Sequence, residues 1–376
     1  MNCSSMFKVS TVLLTILFTF GFAMVPIQSN VSADGSFEIT DGKGNTVTFT
    51  EPVGHIMTIG QGVTATVFQL GYGEKVVVAD SYSAANKDKV FDRLREMIDE
   101  GKAVAGGNIY SSGSDTLKSN AIAAADTEKG GKFEIEKDVI ILTGGDTYLV
   151  KNGLIDFFKE KGFRVLAWND MTEYDDIITF VEKISKIVSG GVSKEVEKMR
   201  NVKKVIEDTL KDKDIIRTKA FYLTYSGNAY KVGNKGSIAT SMIMAAGGNA
   251  FTIDTTKTGT TYEANLTELI EEHGTGVIIF ADSANIAQKA DRMKEVRDAV
   301  GNDVKIVELK PLWNNYSIES MDGVWTMACA MFPQYFSGDV PEVDGGGDSN
   351  IVIYAVAGIA VAAVILIGAV VLMRRR

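Results

Sequence analysis

The chain has 376 residues, 45% of them hydrophobic and 23% charged, with 39 Lys and Arg against 48 Asp and Glu and a formal net charge of −9. At roughly 100–200 residues per domain this is enough for two compact domains, and it excludes a disordered tail protein. No basic block interrupts the acidic body, so nucleic acid is not an expected partner. Two His and two Cys exclude a disulfide scaffold, a Cys-rich zinc site and any centre of three imidazoles, so neither a metal site nor an intrinsic cofactor is expected.

Residues 1–33 read as a secretory signal peptide. Lys8 precedes an uncharged run from Val12 to Val25, and Val31-Ser32-Ala33 places small residues at a cleavage position before Asp34. Residues 34–170 form a first α/β lobe. A β-hairpin is expected around Asp41-Gly42-Lys43-Gly44-Asn45, followed by strands at 56–59, 75–79, 139–142 and 164–167 and helices at 63–70, 87–98 and 149–159. The Gly/Ser-rich stretch 101–131 is a connection holding one helix near 115–125. Strand–helix alternation of this kind predicts a parallel sheet covered by helices.

Residues 171–213 carry no strand signal and two helical runs. The second, 193–212, would extend about 30 Å and is read as the single long helix joining two lobes. Residues 214–336 resume the alternation as a second α/β lobe, with strands at 220–224, 277–281 and 304–307 and helices at 238–246, 266–272, 287–300 and 318–332. Residues 337–350 are a Gly/Asp-rich tether. Residues 351–373 are uncharged and long enough, as a helix, to span a bilayer, and Arg374-Arg375-Arg376 places the 374–376 tail on the cytoplasmic side. The two apolar ends account for a mean hydropathy of +0.06. Between them, residues 34–350 hold 35 basic and 48 acidic side chains, a net −13. The expected fold class is α/β: two lobes with mainly parallel sheets joined by one long helix, with a C-terminal transmembrane helix. The body lies outside the cell.

Two sets of residues carry candidate chemistry. Gly60-Gln61-Gly62, with Asp80 twenty residues after Gly60, has the outline of a dinucleotide fingerprint, yet any tight strand-to-helix turn favours glycine in the same places. The second set lies in loops beyond predicted strand ends, where ligands sit in open α/β sheets. It comprises Asp146 and Tyr148; Trp168; Tyr225, Asn228 and Tyr230; and Trp313, Asn315 and Tyr316. Aromatic rings offer broad apolar faces to a bulky ligand and amides fix its orientation. Gln61 and Thr64 at the glycine turn and Lys231, suited to an anionic group, complete the candidate ligand-binding residues. No GxSxG, HExxH or CxxC motif occurs, and no catalytic residue is assigned.

The order and spacing of several segments resemble the substrate-binding proteins of ABC importers for cobalamin, haem and ferric siderophores. These segments are Thr40-Asp41 with Gly44 and Val47, Glu51-Pro52, the helix 64–70 leading to Gly71-x-Gly73-x-Lys75-Val76-Val77, Asp138–Leu142, Gly162–Val165, Gly247-Gly248-Asn249, and Leu269-Ile270 leading to Val277-Ile278-Ile279. The resemblance covers about 37–336. It implies a cleft between lobes that closes on an iron chelate, haem or a corrinoid, and docking on an importer permease served by its ATPase. It also implies a docking carboxylate on the second lobe, for which Glu268 is the match. His55 departs from the Arg or Lys usual at its place. The resulting expectation is a membrane-anchored extracellular solute-binding protein that is not an enzyme. The alternative is an exported enzyme or nucleotide-binding protein on a similar scaffold.

Overall fold

The computed structural model describes residues 35–342 except 111, 112, 145, 169, 170, 212 and 214. The expected signal peptide, most of the tether, the membrane span and the tail lie outside the described residues. Among the described residues no helix is long and apolar enough to cross a membrane.

The hairpin forms as read, β1 (Phe37–Thr40) antiparallel to β2 (Thr46–Phe49). The Asp41 carboxylate fixes its turn by accepting from the backbone NH of Lys43 and Asn45, and it anchors the hairpin to the first lobe by accepting from Ala167 N at 2.9 Å. The elements of that lobe follow: β3 (Ile56–Ile59), α1 (Gln61–Gln69), β4 (Val76–Ala79), α2 (Ser81–Ala85), α3 (Asp92–Asp99), β5 (Val104–Ala105), α4 (Ser114–Ala125), β6 (Val139–Thr143), α5 (Asp146–Lys151), α6 (Leu154–Glu160) and β7 (Val165–Trp168). The five strands are all parallel, in the order β5-β4-β3-β6-β7. Strands β3, β4, β6 and β7 are buried along their whole length, as a parallel strand covered on both faces requires, and their β-branched residues suit that setting.

Two helices then lead out of this sheet, α7 (Tyr174–Ser189) and α8 (Lys194–Leu210). Gly190, left-handed at φ 81°, ends α7 and lets the chain turn back. The two helices run antiparallel and are tied by ion pairs from Arg200 to Glu182 and from Lys203 to Asp175. The expectation that the second run joins the lobes is corrected here. It is α7, about 24 Å long, that packs on both α1 and α9 (Ile238–Ala245) of the second lobe, whereas α8 packs on α9 and α12 (Ser320–Met331), both in that lobe. The burial explains why. Helix α7 is buried on nearly every side, including Ile177, Ile178, Phe180, Val181, Ile184 and Ile187, while α8 buries only the stripe Val196, Met199, Val202 and Ile206.

The second sheet contains β8 (Lys219–Ser226), β9 (Ala229–Gly233), β10 (Asn249–Ala250), β11 (Thr261–Glu263), β12 (Ile278–Asp282) and β13 (Lys305–Leu309), with α10 (Leu266–His273) and α11 (Ala290–Val300) between the later strands. The order is β11-β9-β8-β12-β13, with β10 beside β8. Strands β8, β10, β12 and β13 are parallel, and β9 and β11 are antiparallel additions at one edge. The segment read as a loop after β8 is a tight hairpin. Gly227 and Asn228, at φ 61° and 64°, form its two-residue turn and bring Tyr225 opposite Tyr230.

Candidate functional site

The carboxyl ends of β3, β4 and β6 open onto a cleft of about 330 Å³ whose far wall is the loop 315–316 of the second lobe. This volume is at the lower end of small-molecule sites. The first lobe contributes Gln61, Asn108 and a row of tyrosines. The ring centroids of Tyr82 and Tyr110 are 5.7 Å apart and those of Tyr110 and Tyr148 4.5 Å, both edge-to-face. These rings remain 50%, 37% and 43% exposed, an unusual outlay of aromatic surface for a row of three. Asn108 holds Tyr110 in place by accepting from its backbone NH at 2.9 Å. Burial, and then the neighbouring Tyr82 and Tyr148, push the Tyr110 hydroxyl above its ordinary pKa, so it is a neutral hydrogen-bonding group at pH 7.

The glycine turn is built for close approach, of the second lobe at Gly62 and of β6 within the first lobe at Gly60. A Cβ on Gly62 would lie 2.7 Å from both Asn315 Oδ1 and the Tyr316 carbonyl oxygen, and one on Gly60, at φ 129°, would lie 1.8 Å from Thr143 Oγ1. Asp80 is 3% exposed and caps α2, accepting from the backbone NH of Gly60, Tyr82 and Ser83 and from the Ser83 hydroxyl. Its oxygens are thus committed to the turn, and the outline of a dinucleotide fingerprint is a structural one.

Of the residues singled out in the sequence, the structure brings Gln61, Asn315 and Tyr316 together in the cleft lining, with Tyr148 against its tyrosine row. Asp146 begins α5. Thr64 is corrected: it is fully buried and turned inward, bonding Thr58 Oγ1 at 2.9 Å and the Gly60 carbonyl at 3.0 Å. Trp168 is also corrected. It is 4% exposed, with its ring 5.2 Å from that of Phe180, because α7 and the Gly42 turn of the hairpin cover the end of the edge strand β7.

In the second lobe, Tyr225 and Tyr230 pack edge-to-face across their hairpin, with the Arg292 guanidinium 3.9 Å over the Tyr225 ring. The Tyr230 hydroxyl donates to Glu295. Asn228 is the hairpin turn, Lys231 lies on β9 opposite Thr224, and Trp313 is half-buried under Lys310. Glu268 sits exposed in the first turn of α10, where Asn265 caps the helix and donates to Glu268 Oε1 at 2.9 Å. His55 is held by Asp138 and His273 packs on the Phe251 ring.

Sequence reasoning missed Tyr82, Asn108 and Tyr110. Tyr82 and Asn108 had signals: the first directly follows the capping Asp80-Ser81, and the second follows a Gly-Gly pair at the end of a short strand.

The lobes also meet through a carboxyl–amide contact. Gln69 Nε2 on α1 donates to Glu319 Oε1 at 2.8 Å, while Gln69 Oε1 is buried and accepts no hydrogen bond among the described residues. Burial, then Asp88 and Asp322, push the Glu319 carboxyl up to about 7, against the Gln69 bond and Lys310. A protonated Glu319 would supply the donor that Gln69 Oε1 needs. An acid whose pKa rises on folding favours the folded state below its unfolded value of 4.5 and loses that advantage as pH rises through about 7. Urea denaturation is therefore expected to show Glu319→Gln matching the wild type near pH ~5 and exceeding it near pH ~8. Equal stability of the two proteins at the higher pH would contradict this.

Neither a protein-family model nor a curated protein matches the sequence. Solved structures do match in fold. CeuE of Helicobacter pylori, solved with Ni(II) bound, superposes with a TM-score of 0.59 at 15% identity, covering 85% of this chain and 94% of that one. The periplasmic heme-binding protein RhuT from Roseiflexus sp. RS-1 gives 0.53 at 13% identity over 75% and 98% of the two chains. HutB of Vibrio cholerae, another periplasmic heme-binding protein, gives 0.52 at 14% over 74% and 99%. The fold is that of two-lobe α/β binding proteins.

Proposed function

We propose that this chain is a solute-binding protein that captures a metal chelate or corrinoid in the cleft between its lobes and delivers it to the permease and ATPase of an ABC importer. The observation that carries this reading is the cleft itself, which is open, lies at the carboxyl ends of a parallel sheet, is walled by the opposite lobe, and is lined by exposed tyrosine rings and amides. The binding proteins that share its fold support it, two of them heme-binding and one solved with Ni(II).

In this reading Tyr82, Tyr110 and Tyr148 offer their faces to the ligand, Gln61, Asn315 and Tyr316 orient it, and the approach of the 315–316 loop to α1 encloses it. The protein works by binding and not by catalysis. Glu268, exposed and fixed by Asn265, is the proposed docking carboxylate for a permease cation. The signal peptide of 1–33 would export the body before being removed, and the apolar 351–373 helix would anchor it outside the cell beside its importer.

Titration of the full-length protein with ferric siderophores, haem and cobalamins, followed by intrinsic fluorescence, tests the proposal. At least one is expected to saturate it, with Tyr110→Ala weakening that binding about tenfold or more, the loss of roughly 1.4 kcal/mol of ring contact. Failure of every chelate and corrinoid to bind would defeat it.

A further inference from the structure

We propose that the cleft selects neutral or cationic ligands and discriminates against anionic chelates. The inference rests on the solute-binding reading and narrows its ligand class. Among the described residues, none that lines the cleft is Lys, Arg or His. Residues 111, 112, 145, 169 and 170, however they lie, are Ser, Ser, Gly, Asn and Asp and bring no positive charge. The lysine expected to meet an anion, Lys231, is on β9 and not in the lining.

Two other cations of the second lobe are engaged elsewhere. Arg292 stacks on Tyr225 and donates to the Asn285 carbonyl at 2.7 Å, and Lys310 sits 4.8 Å over the Trp313 ring. An anion entering such a site sheds water without gaining a counter-charge, which is costly in a partly enclosed cleft. The tyrosine row has the opposite preference. The rings of Tyr82 and Tyr110 in the lining present negative faces that attract cations, and their hydroxyls, with the amide capacity that Gln61 and Asn108 keep beyond their bonds to the Tyr82 carbonyl and the Tyr110 NH, serve neutral carbonyl or hydroxyl groups. The net −13 of residues 34–350 adds a field of the same sign, repelling anions during approach. Neutral corrinoids and cationic hydroxamate chelates satisfy these terms. Tricatecholate chelates do not, and haem would have to keep its propionates in solvent.

The test uses the full-length protein and three probes: ferrioxamine B, a cationic ferric hydroxamate; cyanocobalamin, which is neutral; and ferric enterobactin, a triply anionic tricatecholate. Fluorescence titration at low and at high salt is expected to show the cationic or the neutral probe binding about tenfold or more tightly than the anionic one. The gap should narrow as salt screens the field. Gln61→Lys, and separately Tyr82→Lys at a half-exposed ring, place a cation in the lining and are expected to raise affinity for ferric enterobactin about tenfold, equivalent to one favourable charge contact. If ferric enterobactin binds the wild type as tightly as the best other probe, charge selection is overturned while the solute-binding reading stands. If no probe and no haem binds, both fall together.

Discussion

Replacing Trp168 by alanine is expected to lower folding stability by about 3–5 kcal/mol, the range for deleting a large buried aromatic side chain. Against a typical total of about 5–15 kcal/mol this is a large share, and the thermal midpoint should fall accordingly. The indole closes the end of β7 over the core: it meets the Phe180 ring edge-to-face, and Gly42 of the hairpin packs so close that a Cβ there would come within 3.3 Å of Cδ1. Alanine would leave a cavity shared by the sheet, α7 and the hairpin. The backbone of β7 and the cleft residues are untouched, so protein that remains folded at low temperature should bind its ligand with wild-type affinity. Urea denaturation and ligand titration on the same preparation separate these effects. Retained stability with lost affinity would return Trp168 to the ligand site.

That reversal of role shows where the sequence was informative. Strand–helix alternation is written in local periodicity, so α4, α9, α10, α12 and the strands β3, β6, β8 and β12 fall close to where the pattern puts them. Periodicity also marks which stripe of α8 is buried, but it does not say which of two successive helices touches both lobes. That depends on what covers each face of α7, a tertiary fact. Strand β9 escaped because Gly227-Asn228 looks like an open loop until both residues adopt positive φ and fold Tyr230 back onto Tyr225.

The cleft was legible in part for the same reason. Gln61, Asn315 and Tyr316 follow from the rule that loops at carboxyl strand ends carry ligands, but the rule cannot tell Trp168, one residue short of leaving its strand, from a residue beyond it. Tyr110 lies in a Gly/Ser-rich connection with no periodicity to fix its position, and its place comes from the Asn108 bond to its backbone NH and from the contacts of its ring with Tyr82 and Tyr148. The glycine turn was legible as a turn, whereas its purpose required the opposite lobe.

That purpose gives the second large effect. Gly62→Val is expected to force the lobes apart and weaken ligand binding about tenfold or more, because even 1.4 kcal/mol of lost lobe–lobe and ligand contact is a factor of ten. Gly62 lies in the first turn of α1 with the second lobe directly against it. Valine would bring a Cβ to 2.7 Å from the Tyr316 carbonyl oxygen and from Asn315 Oδ1, with two further methyl carbons beyond. The side-chain oxygen can rotate away, but the carbonyl belongs to the backbone and moves only with its loop. That loop is held in turn by the Ser317 hydroxyl on the Leu312 carbonyl at 2.8 Å.

The strain therefore reaches the contacts between lobes, which are Thr66 Oγ1 to the Tyr316 carbonyl at 3.4 Å, Gln69 to Glu319, and the apolar core that Val63 and Val67 share with Ile318 and Met321. Overpacking of this kind costs about 1–3 kcal/mol where a core must absorb it, and less where two bodies can separate. The expected result is a larger radius of gyration by small-angle scattering, near-native unfolding of each lobe and weakened binding, with Gly62→Ala intermediate. Unchanged affinity and radius in Gly62→Val would show that the 315–316 loop yields alone and that its approach to α1 does not enclose the ligand.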